Sequence, residues 1–136
     1  TDFGAGSTSG SQQVKTIGKI AKNAASRKWQ CQMLFRLVNS YKPKTMLEMG
    51  TSLGISTIYQ ASAAQNAKFI SLEGDPQIAK LANYHLEEMN IKNVDLRVGK
   101  FEETMHLALN DLGKLDYVFV DGNHRLKPTL EYFESL

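Results

Sequence analysis

Segments suited to β-strands alternate with segments suited to helices from Lys44 to the end of the chain. The strands are predicted at 45–49, 68–73, 93–98 and 115–121, and the helices at 54–64, 76–90, 101–112 and from 127 onward. Strands that alternate with helices form a parallel sheet with right-handed crossovers. The pattern therefore predicts an α/β fold, a Rossmann-like three-layer α/β/α arrangement with strand order 3-2-1-4.

The first 43 residues do not follow this alternation. Residues 1–13 are rich in Gly and Ser, which is typical of a flexible lead-in. Two helices are predicted next, from about Gln12 to Ala25 and from about Lys28 to Tyr41, and Pro43 ends the second. With 136 residues, we expect a lead-in with N-terminal helices over 1–43 and one ligand-binding Rossmann-like domain over 44–136.

Charge and composition exclude several classes of protein. No apolar run approaches the roughly 18 residues that cross a bilayer, and the one cysteine, Cys31, suits a reducing compartment. We therefore expect a cytoplasmic protein without a membrane partner.

Residues 1–44 carry eight Lys/Arg and one acid, whereas the remainder carries eight Lys/Arg and thirteen acids. We favour a solvated basic face over a nucleic-acid partner, because the lysines are spread out.

The residues best suited to ligand binding or catalysis fall at the carboxyl ends of the predicted strands. Glu48 and Gly50 end the first strand, Glu73 ends the second, Gly99 follows the third and Asp121 ends the fourth. Ligands of open α/β sheets bind at this edge, where the strand order reverses. These residues therefore predict a single pocket.

The loop from Gly50 to Gly54 indicates what this pocket binds. Its glycines allow a tight turn and close approach of a ligand, and Glu73 stands 23 residues after Gly50, near the spacing of acids that hold ribose hydroxyls. A nicotinamide cofactor would fit so far. The loop is Gly-x-x-x-Gly, however, and Glu48 would repel a pyrophosphate. We infer a cationic ligand; S-adenosylmethionine carries an ammonium, a sulfonium and an adenosine. The alternative is that both glycines only shape a turn.

Four ordered motifs, LEMGTSLGIST, ISLEGDP, DLRVGKFEE and LDYVFVDGNH, resemble the class I S-adenosylmethionine-dependent methyltransferases over roughly residues 28–136. The chain is most similar to the O-methyltransferase branch that includes catechol O-methyltransferase. The resemblance implies an enzyme that transfers a methyl group from S-adenosylmethionine to an oxygen of a small molecule. The implied cofactor-binding residues are Glu48, Gly50, Thr51, Ser52, Gly54, Ser56, Glu73, Gly99, Phe101 and Asp121.

The resemblance also divides these residues by role. Glu48 and the loop would hold the methionine part, Ser56 its carboxylate, and Glu73 both ribose hydroxyls. The segment from Gly99 would border the adenine, with Phe101 against the ring. Ser56 could instead be only a helix N-terminal cap.

Asp121 and His124 are the implied catalytic residues. Asp121 matches an aspartate that binds a divalent cation near the substrate oxygens in metal-dependent members, and such a cation lowers the pKa of a hydroxyl nucleophile. His124 stands where the resembled enzyme has a lysine base, and its near-neutral pKa suits proton removal. Alternatively, Asp121 caps the next segment or binds the cofactor without a metal, and His124 is exposed and idle.

The family's domain normally has seven strands, of which four are found here, and the sequence stops within a predicted helix. We therefore expect a fragment that holds the cofactor half of the domain and lacks the C-terminal strands. The apolar fourth strand would lie at an edge, so we expect it to pair with its symmetry mate in a homodimer or with strands beyond residue 136. The rival functions are a dinucleotide-binding oxidoreductase and a cofactor-binding module without turnover.

Overall fold

The computed structural model describes residues 28–121, which form four helices and four strands in alternation after the first helix. The helices are α1 (Lys28–Tyr41), α2 (Ile55–Ala63), α3 (Pro76–Glu88) and α4 (Phe101–Leu112). The strands are β1 (Thr45–Met49), β2 (Lys68–Glu73), β3 (Val94–Val98) and β4 (Tyr117–Val120). The predicted helix over 12–25, the helix from 127 onward and His124 lie outside the described residues.

The four strands form one parallel sheet in the order β3-β2-β1-β4, as the sequence predicts. The register pairs Glu48 of β1 with Ser71 of β2 on one side and with Phe119 of β4 on the other. β1 and β2 are almost wholly buried, because each has a neighbour on both sides. β4 is an edge strand within the described part of the chain and is only partly buried.

Side chains of successive strand residues point to opposite faces of the sheet, and each face has its own apolar core. On one face, Leu47 and Leu72 pack with Phe101 and Met105 of α4. On the other face, Met46 and Phe69 pack with residues of α1 and α2. The helices therefore cover both faces, which confirms the three-layer prediction. Glu48 follows the alternation of Met46 and lies on the α1 and α2 side.

The amino ends of β1 and β4 are joined by side-chain hydrogen bonds. The Thr45 hydroxyl donates to the Lys114 carbonyl at 2.6 Å and accepts from the Asp116 amide at 3.0 Å. The Lys44 amide donates to the Asp116 carboxylate at 2.9 Å. These bonds fix the register of two strands that are distant in sequence.

None of the helices within residues 28–121 combines the length and the apolarity that crossing a membrane requires.

Candidate functional site

Backbone hydrogen bonds bring the predicted site residues to one edge of the sheet. The Gly50 amide donates to the Leu72 carbonyl at 2.8 Å, and the Gly99 amide donates to the Glu73 carbonyl at 3.1 Å. The Asp121 amide donates to the Met49 carbonyl at 2.8 Å. The residues that follow β1, β3 and β4 are thus held beside the end of the neighbouring strand.

The loop between β1 and α2 has an unusual backbone. Gly50, Ser52 and Gly54 all have positive φ angles, of 102°, 52° and 82°. L-residues rarely adopt this region, and glycine does so at little cost. The Ser52 amide donates to Glu73 Oε2 at 2.7 Å, while the Asp75 amide donates to Glu73 Oε1 at 3.0 Å. The Glu73 carboxylate therefore holds the middle of the glycine loop against the start of α3.

Helix α3 contacts the same loop from a second direction. The His85 Nδ1 atom lies 2.8 Å from the carbonyl oxygen of Leu53. A Cβ atom placed on Gly54 would lie 3.5 Å from atoms of Ala82, so the loop packs closely on the helix. The side chain of Asp75 caps α3 by accepting from the Gln77 amide at 2.9 Å, and Pro76 occupies the first helical position. The position of α3 and the shape of the loop are thus linked.

Glu48 lies beneath this loop and is completely buried. Its Oε1 atom accepts from Ser56 Oγ at 2.8 Å and Gln60 Nε2 at 2.9 Å. Its Oε2 atom accepts from the Thr57 hydroxyl and from Ser71 Oγ at 2.7 Å. Burial raises the pKa of Glu48, and the four hydrogen bonds oppose that rise. Four donors match the roughly four acceptor positions of a carboxylate, so this side chain is fully engaged inside the protein.

Further polar groups on the neighbouring strands extend the Glu48 cluster. The hydroxyls of Thr51 and Ser71 lie 2.6 Å apart, and the Tyr117 hydroxyl donates to Gln60 Oε1 at 2.9 Å. Burial, with a smaller contribution from the charge of Glu48, raises the pKa of Tyr117 to about 12. The cluster therefore connects β1, β2, α2 and β4 through one buried carboxylate.

Several of the predicted cofactor residues make contacts inside the protein, among them Glu48, Ser56 and Phe101. Glu48 and Ser56 hydrogen-bond to each other at 2.8 Å, and both are buried. Phe101 is 2% exposed and packs in the core with α4. Their contact with a cofactor stays a prediction. The carboxylate of Glu48 is occupied by donors from α2 and β2 and is not open to a ligand.

Ser52 is different, because its hydroxyl is the one buried side-chain polar atom within residues 28–121 that has no hydrogen-bond partner. Buried hydroxyls are nearly always hydrogen-bonded, so a polar group of a ligand is a fitting partner. Asp121 lies at the carboxyl end of β4, beside Met49. Across the described residues, no group of three or more His, Cys, Asp and Glu side chains is arranged to hold a metal ion.

Sequence reasoning missed four residues around this site: Thr57, Gln60, Ser71 and His85. Three of them could have been found. Thr57 and Gln60 follow Ser56 by one and four residues, which places polar groups on one side of α2, and Ser71 pairs with Glu48 in the register of the sheet. The contact of His85 with the loop carbonyl has no local signal in the sequence.

Residues 47–136 match the family model of a methyltransferase domain. The chain belongs to this methyltransferase family. A catechol O-methyltransferase of Niastella koreensis is 32% identical over 108 residues, which span 77% of this chain and 48% of that protein. A catechol O-methyltransferase of Mycobacterium tuberculosis is 28% identical over 109 residues, or 79% of this chain and 47% of that protein.

A solved structure agrees with this methyltransferase assignment. The O-methyltransferase TomG of Streptomyces achromogenes, which is involved in tomaymycin synthesis and was solved in complex with SAM, has a TM-score of 0.73 and 26% identity. The match covers 90% of this chain and 60% of TomG. The methyltransferase domain described here thus spans about half the length of the curated relatives that it matches.

Proposed function

We propose that this chain binds S-adenosylmethionine at the carboxyl ends of its strands, and that the protein transfers the methyl group to an oxygen of a small molecule. The observation that carries the proposal is the hydrogen bond between the Ser52 amide and the Glu73 carboxylate. It places the glycine loop beside the acid that ends β2, where acids of such folds accept the ribose hydroxyls of a bound nucleoside. The SAM in the TomG structure supports this choice of ligand.

The residues at this edge fit the cofactor. The unpartnered Ser52 hydroxyl can bond to a polar group of the ligand, and Gly50 and Gly54 present backbone without side chains. Glu73 is the proposed ribose residue, and Gly99 is the proposed border of the adenine. S-adenosylmethionine supplies a methyl group that its sulfonium activates. The chain supplies position and electrostatics.

Glu48 is proposed to act on the cofactor through the loop and through α2. Its carboxylate binds Ser56, Thr57 and Gln60 in the first turns of α2, and α2 begins at the loop. A shift of the carboxylate would therefore move the whole amino end of α2. Thr51, whose hydroxyl contacts Ser71, belongs to the same support.

Asp121 and His124 are proposed to act on the methyl acceptor. Asp121 lies at the end of the edge strand β4, and carboxylate oxygens are suitable ligands for a divalent cation such as magnesium. A cation there would need further ligands from outside residues 28–121, because no other group in the described part completes a site. His124 is the proposed proton acceptor. Pairing of β4 with a second copy in a homodimer and a cytoplasmic location remain parts of this proposal.

Calorimetric titration with S-adenosylhomocysteine tests the cofactor assignment. We expect binding to the chain, at least tenfold weaker binding to Glu73→Ala, and no change for Glu88→Ala at the exposed end of α3. NAD is titrated in parallel, because the glycine loop also suits a dinucleotide-binding oxidoreductase, which the family match does not favour. Binding of NAD in place of S-adenosylhomocysteine would overturn the proposal.

A further inference from the structure

We infer that His85 is a positioning residue that holds the glycine loop in the shape that binds the cofactor. The inference rests on the proposed function, because the loop matters only if the ligand lies on it. His85 belongs to α3 and lies outside the cluster around Glu48, so its role is separate from the support already described.

The chemistry of the contact between His85 and Leu53 decides which atom is the donor. The Leu53 carbonyl oxygen can only accept, so His85 Nδ1 must carry the hydrogen at the observed distance of 2.8 Å. The bond is partly buried, and competition from water is correspondingly reduced. The tautomer of His85 is thus set by a main-chain atom of the loop.

The Leu53 carbonyl belongs to the part of the loop that has positive φ angles. Leu53 lies between Ser52 and Gly54, and both of these residues have positive φ angles, of 52° and 82°. Glu73 accepts a hydrogen bond from the Ser52 amide, and His85 bonds to the carbonyl oxygen of the following residue, Leu53. The loop is thus held at an N–H group, that of Ser52, and at the C=O group of the next residue, Leu53. A loop with a costly backbone conformation persists when its surroundings fix it in this way.

Close packing next to the bond also holds α3 against the loop. Ala82 lies one helical turn before His85 on α3, and the site of a Gly54 Cβ is 3.5 Å from its atoms. The histidine and the alanine therefore contact adjacent residues of the loop. Tyr84, the residue before His85, is 57% exposed, and its ring meets that of His85 edge-on with centroids 5.9 Å apart.

The test compares two substitutions at position 85, one with a hydrogen-bond donor and one without. Asn at position 85 places an amide nitrogen as far along the side chain as Nδ1, whereas Leu has a similar shape without a donor. We expect His85→Leu to weaken S-adenosylhomocysteine binding about threefold to tenfold, which corresponds to one hydrogen bond. His85→Asn should restore most of the affinity, and Tyr84→Leu should change it less than twofold.

Hydrogen exchange measured without ligand tests whether His85 holds the loop, independently of whether the chain binds the cofactor. The amides of Ser52 and Gly54 should exchange about threefold to tenfold faster in His85→Leu than in the original chain and return towards normal in His85→Asn. The Gly113 amide, bonded to Leu109 at the end of α4, should not change. If His85→Leu does not fold, the nearly isosteric pair His85→Asn and His85→Asp gives the same contrast.

Unchanged loop exchange and unchanged affinity in His85→Leu would overturn the role of His85. Equal losses in the Leu and Asn variants would also overturn it, because the donor would then be irrelevant. Failure of the original chain to bind S-adenosylhomocysteine would instead count against the proposed function, and the exchange rates would still decide whether His85 holds the loop.

Discussion

The hydroxyl of Tyr117 donates a hydrogen bond to the side-chain oxygen of Gln60, whose amide nitrogen donates in turn to Glu48. The edge strand β4 therefore reaches the buried carboxylate through a single side chain of α2. Strand, helix and carboxylate form one connected polar unit next to the glycine loop. A substitution at Tyr117 or Glu48 should therefore change the free energy of unfolding by disturbing the whole unit.

Removing the Glu48 carboxylate should be among the most damaging single changes in the described domain. Glu48→Ala leaves four buried donors without their acceptor and opens a cavity, so we expect a loss of about 3 kcal/mol in the free energy of unfolding. Urea denaturation measures this loss. Glu88→Ala, at an exposed position, should change the value by less than about 0.5 kcal/mol. Similar values for the two variants would show that the carboxylate contributes little.

Glu48→Gln should be much milder, at about 1 kcal/mol. The amide keeps one acceptor oxygen, and the hydroxyls of Thr57 and Ser71 can rotate to accept from its nitrogen. The same urea denaturation measures this value. A loss as large as that of Glu48→Ala would mean that the negative charge, rather than the hydrogen-bond pattern, holds the cluster together.

The raised pKa of Glu48 gives stability a definite dependence on pH. A carboxyl group with a raised pKa in the folded state binds its proton more tightly there than in the unfolded chain. Its stabilising contribution is complete below the unfolded pKa, near the ordinary value of 4.5, and is lost as pH rises through the folded pKa. We expect the stability of the original chain relative to Glu48→Gln to fall as pH rises above 4.5. A difference that rises with pH would contradict this sign.

Tyr117 should titrate at a higher pH than an ordinary tyrosine. Its pKa is raised to about 12, so its tyrosinate absorbance should appear about two pH units above the ordinary value of 10. Spectrophotometric titration of the original chain and of Tyr117→Phe isolates this group by difference. Tyr117→Phe also removes the bond to Gln60 and should destabilise the fold by about 1 kcal/mol. A difference spectrum centred near pH 10 would show that the hydroxyl is accessible to water.

Gly54 and Gly113 allow one glycine inside the loop to be compared with one outside it. Both have positive φ angles, of 82° and 71°, and a Cβ would meet either ordinary contacts or open space. Gly54→Ala should cost about 1 kcal/mol of stability through backbone strain. Gly113→Ala should cost about 1 to 3 kcal/mol, because its ψ angle of −96° lies outside the left-handed helical region. Only Gly54→Ala should also weaken S-adenosylhomocysteine binding, since Gly113 follows α4. If both variants bind S-adenosylhomocysteine equally well, the loop does not contact the ligand.

Much of the fold followed from the periodicity of the sequence. β1 and β2 have the predicted bounds, and so do α1 and α4, because continuous apolar runs and helical spacing are local signals. The strand order followed from the handedness of the crossovers. Sequence reasoning therefore placed Gly50, Glu73 and Asp121 at the correct edge of the sheet.

The orientation of Glu48 was not predicted, for a physical reason. An acid at the end of a strand is ordinarily assigned to solvent or to a ligand, because burying a lone charge is costly. Four neutral donors from α2 and β2 offset that cost here. Their convergence depends on the packing of α2 over the sheet, which is a tertiary property. The contact of His85 depends likewise on a left-handed loop.

The bonds of Thr45 bear on the order in which the chain assembles. Thr45 reaches Lys114 and Asp116, which lie 69 and 71 residues further along the chain, whereas Glu48 reaches Ser71 across only 23 residues. Closing the longer loop carries the larger entropic cost and slows folding. We expect β1 and β2 to pair early and β4 to join last. During synthesis, the half-finished sheet would then expose β1 until residues near 116 have left the ribosome.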